Sequence, residues 1–172
     1  MPPPLHIRCY EPTDVDAIYE AVIESRAELA PWMPWCHADY AHADTAAWVA
    51  SRASAWEQLS EWSFVIADAD GRILGTCGIH RLDLLNGSGE VGYWVRTSAT
   101  RQGVASEAVR QVTQWAFQEQ GLHRIEMLIS TENFPSLRVA QKAGAVCEGV
   151  LRQRLLLLGR RHDAMSWAIL KE

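Results

Sequence analysis

The sequence predicts a mixed α/β (α+β) fold: a mostly antiparallel central sheet of about seven strands with helices on both faces. Three observations carry this. Seven runs read as strands, and those in the first half are mostly hairpin-linked, which an all-parallel doubly wound sheet does not allow. The helical segments between them are amphipathic, so each has one face to bury. At 172 residues and 48% hydrophobic content, the chain fits one domain, 1–172, with a single sizeable core. No internal repeat, linker or low-complexity segment divides it.

Leu5 to Tyr10 reads as the first strand. Thr13 then caps a helix whose Val15, Ile18, Tyr19, Val22 and Ile23 share one face. Ala30 to Tyr40 holds Pro31 and Pro34 beside Trp32 and Trp35. Each proline removes a donor and restricts its predecessor, so this is a rigid loop. Asp44 caps a second helix running to about Leu59. Trp62 to Ala67, a turn at Asp68-Ala69-Asp70-Gly71, and Arg72 to Leu82 form a hairpin, followed by a strand from Glu90 to Arg96. From Gly103 to Gln120, Val104, Ala105, Ala108, Val109, Val112, Trp115 and Ala116 recur at helical spacing, and Gly121 suits the position past the end. His123 to Ile129 is a strand, Phe134 to Ala143 a short helix stopped by Gly144, and Val146 to Leu157 and Asp163 to Leu170 the last two strands. The run Leu155 to Leu158 exceeds what a half-buried strand needs, because alternate residues face opposite ways. A homodimer interface or a covering helix would explain it.

Composition narrows the function. No apolar run reaches the roughly 18 residues of a membrane span, and Met1-Pro2-Pro3-Pro4 is not the start of a secretory signal, so a cytoplasmic protein is expected. Cys9, Cys36, Cys77 and Cys147 form no Cys-x-x-Cys pair. They read as reduced, mostly buried thiols, with no metal site. A formal charge of −5 argues against nucleic acid as a partner. It still leaves Arg96, Arg101, Arg110, Arg138 and Lys142 for a local polyphosphate.

That polyphosphate has a candidate seat. Arg101-Gln102-Gly103-Val104-Ala105-Ser106-Glu107 follows a strand and opens a long helix, an order that aims unpaired backbone N–H groups outward at the positive end of the helix dipole. A Gly-x-x-x-x-Gly-Lys-Ser/Thr run is absent, which makes ATP and GTP unlikely ligands. The Gly-x-Gly-x-x-Gly at Gly87 to Gly92 runs into a strand instead of following one, so it is a hairpin loop and not a dinucleotide fingerprint.

At Thr100-Arg101-Gln102-Gly103-Val104-Ala105 the chain resembles the GCN5-related N-acetyltransferases (GNAT), whose signature is Gln/Arg-x-x-Gly-x-Gly/Ala, with Thr100 as the departure. Within them it is similar to the RimJ/RimL group of ribosomal-protein N-terminal acetyltransferases. Glu28 to Trp35, Glu90 to Trp94, Asn133 to Ser136 with Ala140 to Ala145, and Gly149, Arg152, Gly159 and Asp163 carry that likeness. The resemblance implies the GNAT fold, a splayed sheet with the thioester of acetyl-CoA in the gap, and direct attack by an amine without an acyl-enzyme.

The resemblance also implies roles. Val95, Arg96 and the turn Arg101, Gln102, Gly103, Val104, Ala105 and Ser106 would hold the cofactor, with Asn133 on its pantetheine arm. An oxyanion donor would come from a backbone N–H beside a bulge near Tyr93-Trp94-Val95. Ser136 would protonate the departing thiolate, although first-turn occupancy explains Ser136 and Asn133 equally well. Glu90 shares a strand face with Gly92 and Trp94 and could order the water that takes the amine's proton; Glu126 and His80 are rivals. Trp32, Trp35, Trp94 and His80 would border the acceptor, or else pack a loop onto the core. The expected acceptor is a protein N-terminal α-amine. The alternatives are a small-molecule amine, or an acyl-CoA sensor without turnover.

Overall fold

The computed structural model describes residues 4–172; Met1 to Pro3 of the proline-rich start lie outside them. Strand β1 (Leu5–Arg8) leads into a 3-10 turn at Pro12–Asp14 and helix α1 (Val15–Glu24). Thr13 lies inside that turn and does not cap the helix. Asp14 does the local work instead: it accepts from Glu11 N at 2.7 Å and from the Arg8 guanidinium at 2.7 and 2.8 Å. After the short helix α2 (Arg26–Leu29), the proline-containing loop is tied back by Arg26, which donates to Ala38 O at 3.1 Å and Tyr40 O at 2.9 Å. Helix α3 (His42–Glu57) starts two residues before Asp44. The Asp44 carboxylate reaches back from the first turn to accept from Ala41 N at 2.8 Å, so it stabilises the start from inside the helix.

The remaining strands are β2 (Trp62–Asp68), β3 (Ile73–Asp83), β4 (Ser88–Val95), β5 (Arg124–Ser130), β6 (Val146–Leu157) and β7 (Arg160–Leu170). They form a seven-stranded sheet in the order β1-β2-β3-β4-β5-β7-β6, antiparallel except where β4 meets β5. The expected mixed, mostly antiparallel sheet is thus the one observed. Helices α4 (Val104–Glu119) and α5 (Phe134–Ala143) cover one face, where Val109, Val112 and Ala116 meet Ile66, Ile79 and Ile125 in the larger core. On the other face α1 and α3 enclose a second core around Ile18, Val22, Val65 and Trp94. The sheet therefore separates two cores, where composition alone suggested one.

Strand β6 is an edge strand, and in the leucine run Leu157 is buried while Leu156 and Leu158 are exposed, as alternation requires. Cys36 and Cys77 are buried, but Cys9 and Cys147 are exposed, which corrects the expectation of mostly buried thiols. Among the described residues no cluster could hold a metal ion, and no helix is long and apolar enough to cross a membrane.

Candidate active site

Strands β4 and β5 are hydrogen-bonded only where Ser88–Glu90 face Arg124–Glu126. Beyond that point both strands continue, to Val95 and Ser130, without pairing to each other, so β4 presents an edge of backbone groups to a gap inside the sheet. Strand β4 stays in register with β3 through Tyr93–Val95. The irregularities lie in β3 instead, at Leu74 and at Arg81–Leu82, so no bulge against β3 marks the predicted oxyanion region.

Across the gap, the Tyr93 hydroxyl and Ser136 Oγ are 2.6 Å apart. Ser136 is held there by its own helix start, since Asn133 Oδ1 accepts from Ser136 N at 3.2 Å and the following Phe134-Pro135 opens α5. Burial pushes the Tyr93 phenol up to about 12 against the opposing effect of the Ser136 bond, so it stays protonated at neutral pH. Tyr93 was missed as a side chain by sequence reasoning. Its alternation with Val91 and Val95 reads as plain core, and its partner is 43 residues away.

The turn before α4 is shaped for an anion. Arg101 and Gly103 are both left-handed, at φ 63° and 85°. The first paired donor of the helix start is Glu107 N, to Gly103 O at 3.0 Å; the N–H groups from Arg101 to Ser106 have no acceptor among the described residues. The side chain of Gln102 folds back to Ser98 O at 3.0 Å, and Ser106 Oγ donates to Gly103 O at 3.0 Å, while Val104 is buried under the turn. We expect Gly103→Val, which forces a β-branched residue into φ 85°, to raise KM for acetyl-CoA about 10-fold in initial-rate assays.

Arg96 does not join this turn. Its guanidinium is buried against Glu24, with Glu20 at 2.8 Å and Ile73 O at 3.2 Å, so that side chain is not free to reach a ligand at the turn. Arg110 is likewise engaged, by Glu107 and by Lys142 O at 2.9 Å. Arg101 remains exposed at the turn.

On the opposite side of the sheet a cavity of about 540 Å³ reaches β4 at Gly92, Tyr93 and Trp94. Trp35 and Trp94 border it together, their ring centroids 6.1 Å apart. Trp32 is turned away from it, edge-on to His162 at 6.5 Å. His80 also lines the cavity, and its ring lies over Gly92, where a Cβ would come within 3.1 Å of His80 Cε1. His80 Nε2 faces Glu90 Oε1 at 3.4 Å, and Arg81 donates to Glu90 Oε2 at 2.9 Å. Burial alone would raise the Glu90 carboxyl, but His80 and Arg81 outweigh it and hold the group below its ordinary value. Glu126, its register neighbour, accepts from Arg124 Nε at 2.6 Å and is nearly half exposed.

Residues 5–146 match the Acetyltransferase (GNAT) domain family. The chain is a GNAT acetyltransferase. Over 176 residues it is 28% identical to the protein YdaF of Bacillus subtilis (strain 168), covering 96% of this chain and 90% of that one. It is 24% identical to the ribosomal-protein-serine acetyltransferase of Escherichia coli (strain K12), over 95% and 91% of the two chains. The structure of Mycobacterium smegmatis RimJ in complex with CoA-disulfide superimposes with a TM-score of 0.86 at 27% identity, covering 96% of this chain and 81% of that one. This GNAT enzyme is accordingly an acetyl-CoA-dependent acetyltransferase. Its own unpaired donors from Arg101 to Ser106 fit the diphosphate that such a co-substrate carries.

Proposed function

We propose that this GNAT enzyme acetylates the N-terminal α-amine of a protein, in the manner of the RimJ/RimL group, by direct attack in a ternary complex. The observation that carries the reading is the gap between β4 and β5, with the Tyr93–Ser136 hydroxyl pair across it and an acceptor cavity meeting the same stretch of β4. The likeness to RimJ and to the ribosomal-protein-serine acetyltransferase supports the choice of acceptor.

Acetyl-CoA supplies an activated carbonyl and a thiolate leaving group. The chain's residues do the rest. Val95 and the turn from Arg101 to Ser106 bind the co-substrate, with Asn133, whose Oδ1 is committed to Ser136 N, leaving its amide nitrogen for the pantetheine arm. Ser136 gives its proton to the thiolate and takes one from the Tyr93 hydroxyl at 2.6 Å, and the phenolate so formed is reprotonated by solvent water as the thiol product leaves. On the amine side, His80 faces the cavity and takes the proton, while Glu90 fixes the ring through Nε2 and stabilises its charge. Glu90 is thus a positioning residue, because a carboxyl held low is a weak base.

Thiol release from acetyl-CoA, measured with N-terminal peptides beside small amines, tests the reading. Release with peptides alone supports it. Release with small amines alone moves the acceptor to a small molecule, and acetyl-CoA binding without release to any amine leaves a sensor. His80→Gln should lower kcat/KM about 10-fold at pH 7 and much less at pH 9, where an α-amine of pKa near 8 is already neutral. A loss of equal size at both pH values would assign His80 a packing role.

A further inference from the structure

His162 is a buried imidazole that the transfer chemistry above leaves unused, and it touches both halves of the site. It stands near the start of β7. Ser130, at the end of β5, pairs in register with Ala164, which sets its side chain diagonally beside His162 on the same sheet face. Ser130 Oγ lies 3.2 Å from His162 Nδ1, and Glu132 Oε1 lies 3.7 Å from the same nitrogen. A buried ring nitrogen is costly without a partner, so these two groups fix which way the imidazole faces.

Through Ser130 the ring holds the turn that delivers the proposed proton donor. Ser130 Oγ accepts from Glu132 N at 3.3 Å and Ser130 O from Asn133 N at 2.9 Å, so Asn133 enters α5 from a turn built on Ser130. Asn133 in turn accepts from Ser136 N at 3.2 Å. Strand β7 adds two more ties: Asp163 O accepts from Thr131 N at 3.0 Å, and Arg160 donates to Glu132 at 2.5 Å.

The acceptor loop meets the same ring. Trp32 packs edge-on to His162, and three residues on Trp35 reaches Trp94 of β4 and borders the cavity with Met33. Since β5 lies between β4 and β7 in the sheet, the loop passes from one side of the β4–β5 gap to the other, and His162 is its footing on the far side. Pro31 and Pro34 stiffen the loop, so what sets Trp32 also sets Trp35.

We infer that His162 is a positioning residue for the transfer: its ring holds the acceptor loop and its Nδ1 holds the Asn133–Ser136 turn, so that the amine and the thiolate's proton donor are set against each other across the gap. The inference rests on the acetyl-transfer reading above. The two contacts use different properties of one side chain, so two substitutions separate them. His162→Phe keeps a flat ring for Trp32 and removes the nitrogen. His162→Asn keeps a hydrogen-bonding group where Nδ1 stood and removes the ring.

The test is the initial rate of thiol release at saturating acetyl-CoA, with peptides beginning with Ser or Ala beside phenethylamine and spermidine; the amine that the wild type uses fastest serves for the variants. We expect His162→Phe to lower kcat about 10-fold with the acceptor KM within about twofold, and Ser130→Ala to do the same. His162→Asn should raise the acceptor KM about 10-fold and lower kcat by less than about threefold, and Trp32→Ala should follow it. Parallel losses in the two His162 variants, losses that track only the folded fraction, or wild-type rates in both would overturn the inference while leaving acetyl transfer intact. A wild type that releases thiol with no amine overturns both. Where either His162 variant does not fold, Ser130→Ala, which deletes a single oxygen, and Trp32→Ala carry the same split and decide it.

Discussion

Ser136→Ala should lower kcat about 100-fold and leave KM for acetyl-CoA within about twofold, the signature expected of the proposed proton donor, which acts only as the thiolate departs. The size follows from position. Ser136 is fixed at one end by Asn133 through its backbone and at the other by the Tyr93 hydroxyl at 2.6 Å from Oγ, so in the proposed mechanism its proton needs no search. Tyr93→Phe keeps the serine and removes its relay, and should cost about 10-fold. Because burial pushes the Tyr93 phenol up to about 12, its ionisation cannot turn off the wild-type rate below about pH 10. Steady-state rates of both variants between pH 6 and 10 check this. A Ser136→Ala enzyme with kcat unchanged and KM raised would reduce Ser136 to a first-turn residue.

The second large effect is on stability. Glu24→Ala should cost about 3 kcal/mol and lower Tm by roughly 9 °C, because it strips the main partner from a guanidinium only 4% exposed. The damage spreads towards the turn that opens α4. Glu24 Oε1 also accepts from Ser98 N at 2.8 Å, and the neighbouring Ser25 Oγ accepts from Thr97 N at 2.9 Å, so the end of α1 anchors the segment that leads into the Arg101–Gly103 turn. The hydrogen bond from Arg96 holds the Glu24 carboxyl at about 2, against an ordinary 4.5. A carboxyl lowered by folding stabilises the protein fully above its unfolded value, and that contribution disappears as pH falls through the folded one. The difference in Tm between wild type and Glu24→Ala should therefore be constant from pH 7 to about 5 and shrink between pH 4.5 and 2. A difference independent of pH would show that the pair is not what Glu24 contributes.

The sequence by itself determined the elements and the glycine turn that opens α4, because both are local. Apolar residues at helical spacing placed α4, and a glycine at φ 85° before its first turn is written in one short run. Where capping competes within a few residues the boundary moved: Asp14 displaced Thr13, and Asp44 capped from inside its helix. Tertiary structure decided what depends on register and distance. Tyr93 meets Ser136 only because β4 and β5 part after three paired residues, which no periodicity records. The Arg96 guanidinium is drawn to Glu24, 72 residues earlier, although by sequence it lies a few residues before the turn. The His80 ring lies over Gly92 only because β3 and β4 pair in the register that sets His80 beside Glu90 and Gly78 beside Gly92, and cross-strand register is set by the pairing of whole strands and not by any single residue.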